Sequence, residues 1–235
     1  MSAVSPAIVK TIIQLQSLPS LASFSLAGGT NLALQYNHRI SDDIDLFCPE
    51  IIGLEGFNKI QEEVKASFGK NARNFDNPCD INDQYSFLRF FIDAEDGTII
   101  KVDVLQNMKH LFEINTINNI RLFSKEDIGL YKLVSLSNRS TKKDIYDLDF
   151  ITDEIKLSTL YKKLIDLIID KNLLFMIFEY HTPVETKILE LNDFIRVCKI
   201  RDQTVGNRRK AYASAVYTGI IDGLYLFLGP IGLAA

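Results

Sequence analysis

The sequence predicts an α/β fold in which a mixed sheet, flanked by helices, is followed by a helical region. A run with helical spacing at residues 54–68 lies among short β-prone runs in the first half of the chain. Two further β-rich runs, at residues 85–93 and 98–105, flank an Asp-Gly turn at residues 96–97, which is typical of a hairpin. In the second half these runs give way to helical patterns, so a sheet domain precedes a helical one.

The other elements of the sheet region are short. A strand at residues 24–27 ends at a Gly-Gly pair, after which a helix is expected over residues 30–36. A second strand at residues 44–47 lies between polar residues and a proline. One more strand is expected at residues 119–123, where the sheet region ends.

The second half is predicted to be a series of helices. Ser124, with an acidic residue three positions later, has the form of a capping box and predicts a helix through residue 138. Further helices are predicted over residues 143–151, 157–171 and 185–197. The predicted domains are a sheet domain at residues 1–123, a helical domain at 124–200 and an apolar C-terminal tail at 201–235.

The stretch at residues 211–235 is long and apolar and follows a basic trio, as a membrane anchor does. Asp222 lies in its middle, where a charge costs about 2.5–3.5 kcal/mol in a membrane helix. Glycines and a proline also interrupt a continuous helix. A buried terminal helix or a tail that docks on a partner is therefore favoured over a membrane span.

The composition and the spacing of the cysteines and histidines argue against a disulfide-linked, zinc-binding or secreted protein. Apolar residues make up 47% of the chain and charged residues 24%, which is ordinary for a globular protein. The net charge of −4 argues against nonspecific attraction to nucleic acid, although it permits a local basic groove. Cys48, Cys79 and Cys198 are far apart, the histidines are scattered, and residues 1–16 lack the pattern of a signal peptide. These features predict neither disulfides nor a zinc site, and they indicate the cytoplasm.

Three aspartates are the candidates for chemistry. Because strand side chains alternate, Asp43 and Asp45 are expected on one face, with Ile44 and Phe47 facing the core. Asp103 alternates with valines and is a single carboxylate among buried neighbours. If the two strands are adjacent, the carboxylates converge and repel one another unless a hard divalent cation such as Mg²⁺ is bound. Taken separately, a solvated loop and an edge-strand charge remain the alternatives.

Gly28 and Gly29 offer a complementary feature. A strand that runs into two glycines and then a helix exposes backbone N–H groups at the helix N-terminus, where phosphate is favoured. Glycine also allows a triphosphate to approach the backbone closely. A plain turn is the alternative for this pair alone. The order of the features, with the glycines a short helix before the Asp-x-Asp pair, is what a nucleotidyltransferase site requires.

The first half resembles a known family at these positions. The runs at residues 27–34 and 38–47 closely resemble the signature of AbiEii/AbiGii toxins, which belong to the DNA polymerase β-like nucleotidyltransferase superfamily. Asp103 matches the third acidic position of that family. The resemblance covers residues 24–150, with the motifs in order, and it implies a mixed-sheet nucleotidyltransferase domain followed by a helical domain.

The resemblance extends into the second half. Lys132, Arg139 and the run at residues 143–148 match the family pattern Lys…Arg…(Lys/Arg)-Asp-x-x-Asp-Leu. Lys132 and Arg139 are two helical turns apart and share a face, as do Asp144 and Asp147, which are three residues apart. An ordinary interhelical salt bridge is the alternative interpretation of this group.

The resemblance implies a role for each residue. Asp43 and Asp45 are expected to bind Mg²⁺ or Mn²⁺, and Asp103 to complete the metal site and polarise the acceptor hydroxyl. An NTP in the cleft between the domains is the implied substrate. Its phosphates are expected to contact Gly28, Gly29, Thr30, Lys132 and Arg139, with Asp144 orienting one of the two cations.

The resemblance also implies the biological setting. It indicates the toxin of a toxin–antitoxin system, with an antitoxin protein as a partner and tRNA 3′ ends as the acceptor. Transfer to a partner protein or a small molecule is the alternative with the same chemistry. A non-catalytic binding module that retains the fold is the alternative of a different class, although such a module has no need for a repulsive carboxylate cluster.

Overall fold

Helices and strands alternate in the first part of the chain, a run of five strands comes next, and helices follow in the part that the structure describes. The computed structural model describes residues 2–77, 87–138 and 141–170. Arg139, Cys79, Cys198, the helix expected at residues 185–197 and the tail at 201–235 lie outside these ranges. The chain divides into two compact units, Met1–Lys125 and Glu126–Ala235, and each is described by itself.

The first unit holds the sheet and the helices that cover it. Its described elements are α1 (Pro6–Gln16), β1 (Ser25–Ala27), α2 (Gly28–Tyr36), β2 (Ile44–Phe47), α3 (Gly53–Phe68), β3 (Ala72–Asp76), β4 (Phe87–Asp93), β5 (Ile99–Leu105), β6 (Asn115–Ile117) and β7 (Ile120–Leu122). The described elements that follow are α4 (Lys125–Asn138), α5 (Lys142–Thr152) and α6 (Leu157–Asp170). The α/β class predicted from the sequence is confirmed.

The sheet is mixed, with seven strands in the order β3-β4-β5-β2-β1-β7-β6. Strands β2 and β5 are parallel neighbours, as are β1 and β7, and the other adjacent pairs are antiparallel. The predicted hairpin is formed by β4 and β5, with a left-handed Gly97 in the turn. The parallel pairing of β2 with β5 brings two segments far apart in sequence side by side.

Alternation along the strands gives the sheet one buried face. On β4, Leu88, Phe90 and Ile92 are buried, whereas the residues between them are half-buried. Helix α3 packs against β3 and β4 and buries Phe57 and Ile60. The opposite face of β4 and β5 carries Arg89, Lys101 and the predicted site residue Asp103 among apolar side chains.

Three elements of the first unit have no counterpart among the predicted ones: α1, β3 and β6. Helix α1 begins at an N-cap, where the Ser5 hydroxyl accepts a hydrogen bond from the Ile8 amide at 3.3 Å. Its apolar face buries Ile12 and Leu15. Strand β6 is an exposed three-residue edge, and β3 is a short polar strand whose pairing with β4 shifts register between Arg73 and Asp76.

The second unit is helical in its described part. Helix α5 begins at Thr141, whose hydroxyl caps the Asp144 amide at 3.3 Å. Gly129 on α4 lies so close to α6 that an added Cβ would be 3.0 Å from a Leu160 methyl group. Predicted helices at residues 143–151 and 157–171 are confirmed as α5 and α6, with the last residue of the second prediction outside the described ranges.

No helix in the described part of the chain is both long and apolar enough to cross a membrane. Cys48 is a buried free thiol, and burial raises its pKa to about 12. This cysteine is therefore protonated and unreactive at neutral pH.

Candidate active site

Asp45 and Asp103 lie side by side in the sheet. They are register partners on the parallel strands β2 and β5, as are Ile44 and Val102 one residue earlier. Ile44 and Val102 are fully buried, whereas Asp45 is half-buried on the other face. Two carboxylates from segments far apart in sequence thus lie on the same, more open face of the sheet.

Arg89 holds Asp103 from the other side. It is the register partner of Asp103 across β4 and β5. Its guanidinium donates two hydrogen bonds to the carboxylate, 2.6 Å from Nε to Oδ1 and 3.1 Å from Nη2 to Oδ2. The Phe87 ring lies 5.2 Å from the guanidinium carbon. Hydrogen bonding to Asp103 raises the pKa of Arg89, so this paired guanidinium remains charged.

Lys101 connects two of the aspartates. Its Nζ lies 3.3 Å from Asp103 Oδ2 and 3.6 Å from Asp43 Oδ2. Burial disfavours the charged ammonium, but attraction to Asp103, Asp43 and Asp45 outweighs it and raises the pKa of Lys101. Three carboxylates therefore act on one ammonium, which places Asp43 within the same electrostatic site.

Thr30 holds the segment that carries Asp43. Its buried hydroxyl donates a hydrogen bond to the backbone carbonyl of Asp43 and lies 2.9 Å from the Ser41 hydroxyl. Asp43 precedes β2 and is therefore not held by the strand pairing. The hydrogen bond from Thr30 fixes its backbone instead. The side chain of Thr30 is thus used to hold the segment before β2.

Gly28 lies directly against the Asp45 carboxylate. A Cβ added to Gly28 would overlap a carboxylate oxygen and lie 2.9 Å from the carboxyl carbon. Gly28 also has a positive φ of 65°, a conformation that costs other residues about 1–2 kcal/mol. Helix α2 begins at this residue, after Ala27, which has no polar side chain to cap the first-turn amides. Any larger residue at position 28 would therefore displace the Asp45 carboxylate.

We expect Gly28→Ala to impair the chemistry more than the fold. The Asp45 carboxylate can rotate away from the new methyl group, but the Asp45 Cβ lies 3.2 Å from it, so a tight contact adds to the backbone strain of about 1–2 kcal/mol. If Asp45 takes part in the transfer that the resemblance implies, displacing it by about 1 Å can lower the rate by about 100-fold. Urea unfolding and single-turnover nucleotide transfer measure the two effects.

Gly53→Ala is the matched control. Gly53 has a φ of 64°, and an added Cβ would meet nothing within 4 Å. Both variants are expected to lose free energy of unfolding, Gly28→Ala somewhat more because of its contact with Asp45, whereas only Gly28→Ala loses transfer. Equal activity of the two would show that the position of Asp45 beside Gly28 does not matter.

The second unit contains a buried ion cluster. Lys132 Nζ lies 2.7 Å from Asp144 Oδ1 and 2.7 Å from Asp147 Oδ2. Residue exposures are 8% for Lys132, 2% for Asp144 and 0% for Asp147. The Thr141 hydroxyl donates to Asp144 Oδ2 at 2.6 Å, which fixes that carboxylate. The expected pairing of Lys132 with Asp144 is thus present, and Arg139 lies outside the described residues.

Sequence reasoning gave no role to Arg89, Lys101 or Asp147. The first two could have been placed by the hairpin, because an Asp-Gly turn at residues 96–97 fixes which residues of β4 and β5 face each other. Within residues 2–77, 87–138 and 141–170, no three His, Cys, Asp or Glu side chains form a ready-made metal site.

Comparison with known proteins identifies a nucleotidyltransferase family. A family model described as the nucleotidyl transferase AbiEii toxin of a type IV toxin–antitoxin system matches residues 15–197. An uncharacterized protein of Aquifex aeolicus strain VF5 is 31% identical over 143 residues, which cover 57% of this chain and 60% of that protein. This chain therefore spans less than two thirds of the length of that relative.

One solved structure is also among the matches. The nucleotidyltransferase toxin MenT4 from Mycobacterium tuberculosis H37Rv gives a TM-score of 0.46 at 12% sequence identity, and the match covers 94% of this chain and 92% of MenT4.

Proposed function

This chain belongs to the AbiEii nucleotidyltransferase toxin family, and from that premise we propose that it transfers a nucleotide from an NTP to an acceptor hydroxyl. In this reaction the acceptor oxygen attacks the α-phosphorus, the bond to the β-phosphate oxygen breaks, and pyrophosphate leaves. The observation that carries the proposal is the register pairing of Asp45 with Asp103, with Lys101 joining Asp43 to the same group.

The donor groups of this site fit a divalent cation. Asp43, Asp45 and Asp103 offer the carboxylate oxygens that Mg²⁺ and Mn²⁺ prefer, and Asp45 and Asp103 are immediate neighbours. Arg89 occupies both oxygens of Asp103 with one hydrogen bond each, which leaves further lone pairs on that carboxylate. We assign the three aspartates as the residues that would hold the cation. When bound, it would supply charge neutralisation and Lewis acidity at the phosphates.

The chain itself supplies positioning and electrostatics. Asp103 is proposed to accept a hydrogen bond from the acceptor hydroxyl and so polarise it, while Arg89 keeps the carboxylate oriented. The backbone amides of Gly28, Gly29 and Thr30 are proposed to bind phosphate. This assignment is supported by their place at the start of α2 and by the absence of a capping side chain on Ala27.

Two cations of the second half complete the proposal. Lys132 and Arg139 are assigned to the triphosphate, and Asp144 is assigned to hold Lys132 in position. The ion pair of Lys132 with Asp144 supports the positioning role, but it also fits a purely structural cluster. Substitution of Lys132 separates a role at the triphosphate from a purely structural role.

The acceptor is proposed to be the 3′ end of a tRNA, with an antitoxin protein as the regulatory partner. The family description supports the toxin–antitoxin setting. The acidic chain needs a local basic surface for RNA, and α5 and α6 begin with or contain lysines that can provide one: Lys142, Lys143, Lys162 and Lys163. Transfer to a partner protein or small molecule is the alternative acceptor.

Incubation with radiolabelled NTPs tests this proposal. The purified chain is given each α-labelled NTP separately with total tRNA and Mg²⁺, and products are separated on a denaturing gel. We expect label in the tRNA band, dependent on Mg²⁺ and abolished by EDTA. Label in protein or in a small product would assign another acceptor. NTP binding without transfer to any acceptor, with Mg²⁺ present, would favour the non-catalytic binding module.

A further inference from the structure

Lys101 lies where a divalent cation would be expected. Its ammonium is 3.3 Å from Asp103 Oδ2 and 3.6 Å from Asp43 Oδ2, so it bridges two of the three carboxylates assigned to the metal. Strand β5 places Lys101 and Asp103 two residues apart and therefore on the same face of the sheet. The side chain of Lys101 is 31% exposed, so it has a path to solvent.

Arg89 and Lys101 differ in how firmly they are held. Arg89 forms two hydrogen bonds with Asp103 in a fixed fork geometry. Lys101 makes two longer contacts through a single ammonium at the end of a flexible stem. Of the two cations, Lys101 is the one that can leave the carboxylates at small cost.

We propose that the Lys101 ammonium is a built-in competitor of the divalent cation: it bridges Asp43 and Asp103 in the metal-free protein and withdraws when the metal binds. This inference rests on the proposed function, because it takes the three aspartates as the metal ligands. Lys101 stabilises the metal-free site by offsetting carboxylate repulsion. It also keeps metal affinity low, so that a free cation binds weakly until the triphosphate adds its own negative charge.

Removal of the ammonium tests this competition without measuring catalysis. The full-length chain and its Lys101→Met variant are titrated with Mn²⁺ in the absence of nucleotide, and free Mn²⁺ is followed by electron paramagnetic resonance. We expect Lys101→Met to bind Mn²⁺ about tenfold more tightly or more, since a unit charge within about 4 Å acts strongly at a partly buried site.

Thermal unfolding gives a second readout. Without Mn²⁺, Lys101→Met is expected to melt below the wild type, because the carboxylates are no longer offset. With saturating Mn²⁺ the difference should close or reverse. If Lys101→Met does not fold, Lys101→Gln provides the same charge removal. Lys101→Arg retains a cation and should not gain affinity.

Two controls separate the possible failures. Lys10→Met removes an exposed lysine of α1 whose ammonium lies 2.9 Å from Glu95 Oε1, and it should leave Mn²⁺ affinity unchanged. Asp45→Asn should weaken Mn²⁺ binding. If Asp45→Asn has no effect, or if neither the wild type nor Lys101→Met binds Mn²⁺, the carboxylate metal site itself is wrong. If Asp45→Asn weakens binding but Lys101→Met and the wild type bind equally, only the competition is wrong.

Discussion

Asp45→Asn is expected to lower nucleotide transfer by at least about 100-fold while the chain stays folded. Changes in the outer shell of a metal site already cost about 10–100-fold, and the loss of a direct ligand should cost more. The substitution preserves the shape of the side chain and removes one of two neighbouring negative charges on β2 and β5. Stability without metal should therefore be unchanged or slightly higher.

Asp42→Asn is the matched control for this change. Asp42 is exposed and lies three positions before Asp45. The same substitution at Asp42 therefore removes one negative charge without changing any of the three aspartates assigned to the metal. Single-turnover transfer with labelled NTP and Mg²⁺ compares the two variants, and thermal unfolding shows that both are folded. If Asp45→Asn were as active as Asp42→Asn, Asp45 would have no role in the proposed transfer.

The central part of the site could be predicted because it depends on short-range patterns. The strand expected at residues 44–47 is β2 to the residue, and the Asp-Gly turn predicted the β4–β5 hairpin correctly. Period-2 alternation then put Asp45 and Asp103 on the face opposite the buried valines. What alternation alone leaves undetermined is that β2 and β5 are neighbours, because that pairing is set by the whole sheet.

One expectation about β2 was wrong. The expectation is that Phe47, like Ile44, faces the core opposite the aspartates. However, Phe47 is two residues from Asp45 and so lies on the same face as Asp45. It is nevertheless buried, because its ring packs edge-on against Phe123 with centroids 5.6 Å apart. Buried residues therefore lie on both faces of the sheet in this region. A sequence pattern that places every buried residue on the core-facing side is wrong at Phe47.

The cations of the site were missed for a related reason. Arg89 and Lys101 lie on strands whose aromatic and β-branched residues dominate the pattern, and an isolated charge on such a strand usually faces water. Only the hairpin register shows that Arg89 lies opposite Asp103. The charge balance of the site thus depends on cross-strand pairs, which single-strand patterns do not reveal.

Lys132→Met is expected to cost about 3–5 kcal/mol of the free energy of unfolding, because it leaves two buried carboxylates without their ammonium. Asp144 and Asp147 are almost inaccessible and both lie 2.7 Å from Lys132 Nζ. Lys156→Met changes an exposed lysine of the same unit and should alter stability by no more than about 0.5 kcal/mol. Urea unfolding of both variants measures the difference.

Stability alone does not decide whether Lys132 also acts on the triphosphate, but a compensating triple variant does. Adding Asp144→Asn and Asp147→Asn to Lys132→Met removes the orphaned charges and should recover much of the lost stability. If Lys132 stabilises charge that builds on the leaving pyrophosphate, the rescued protein still has low kcat and low kcat/KM. Asp144→Asn alone should then reproduce part of the loss in transfer, and its combination with Lys132→Met should be less than additive, since the two residues act as one unit. A rescued triple variant that transfers nucleotide at the wild-type rate would leave Lys132 with a structural role alone.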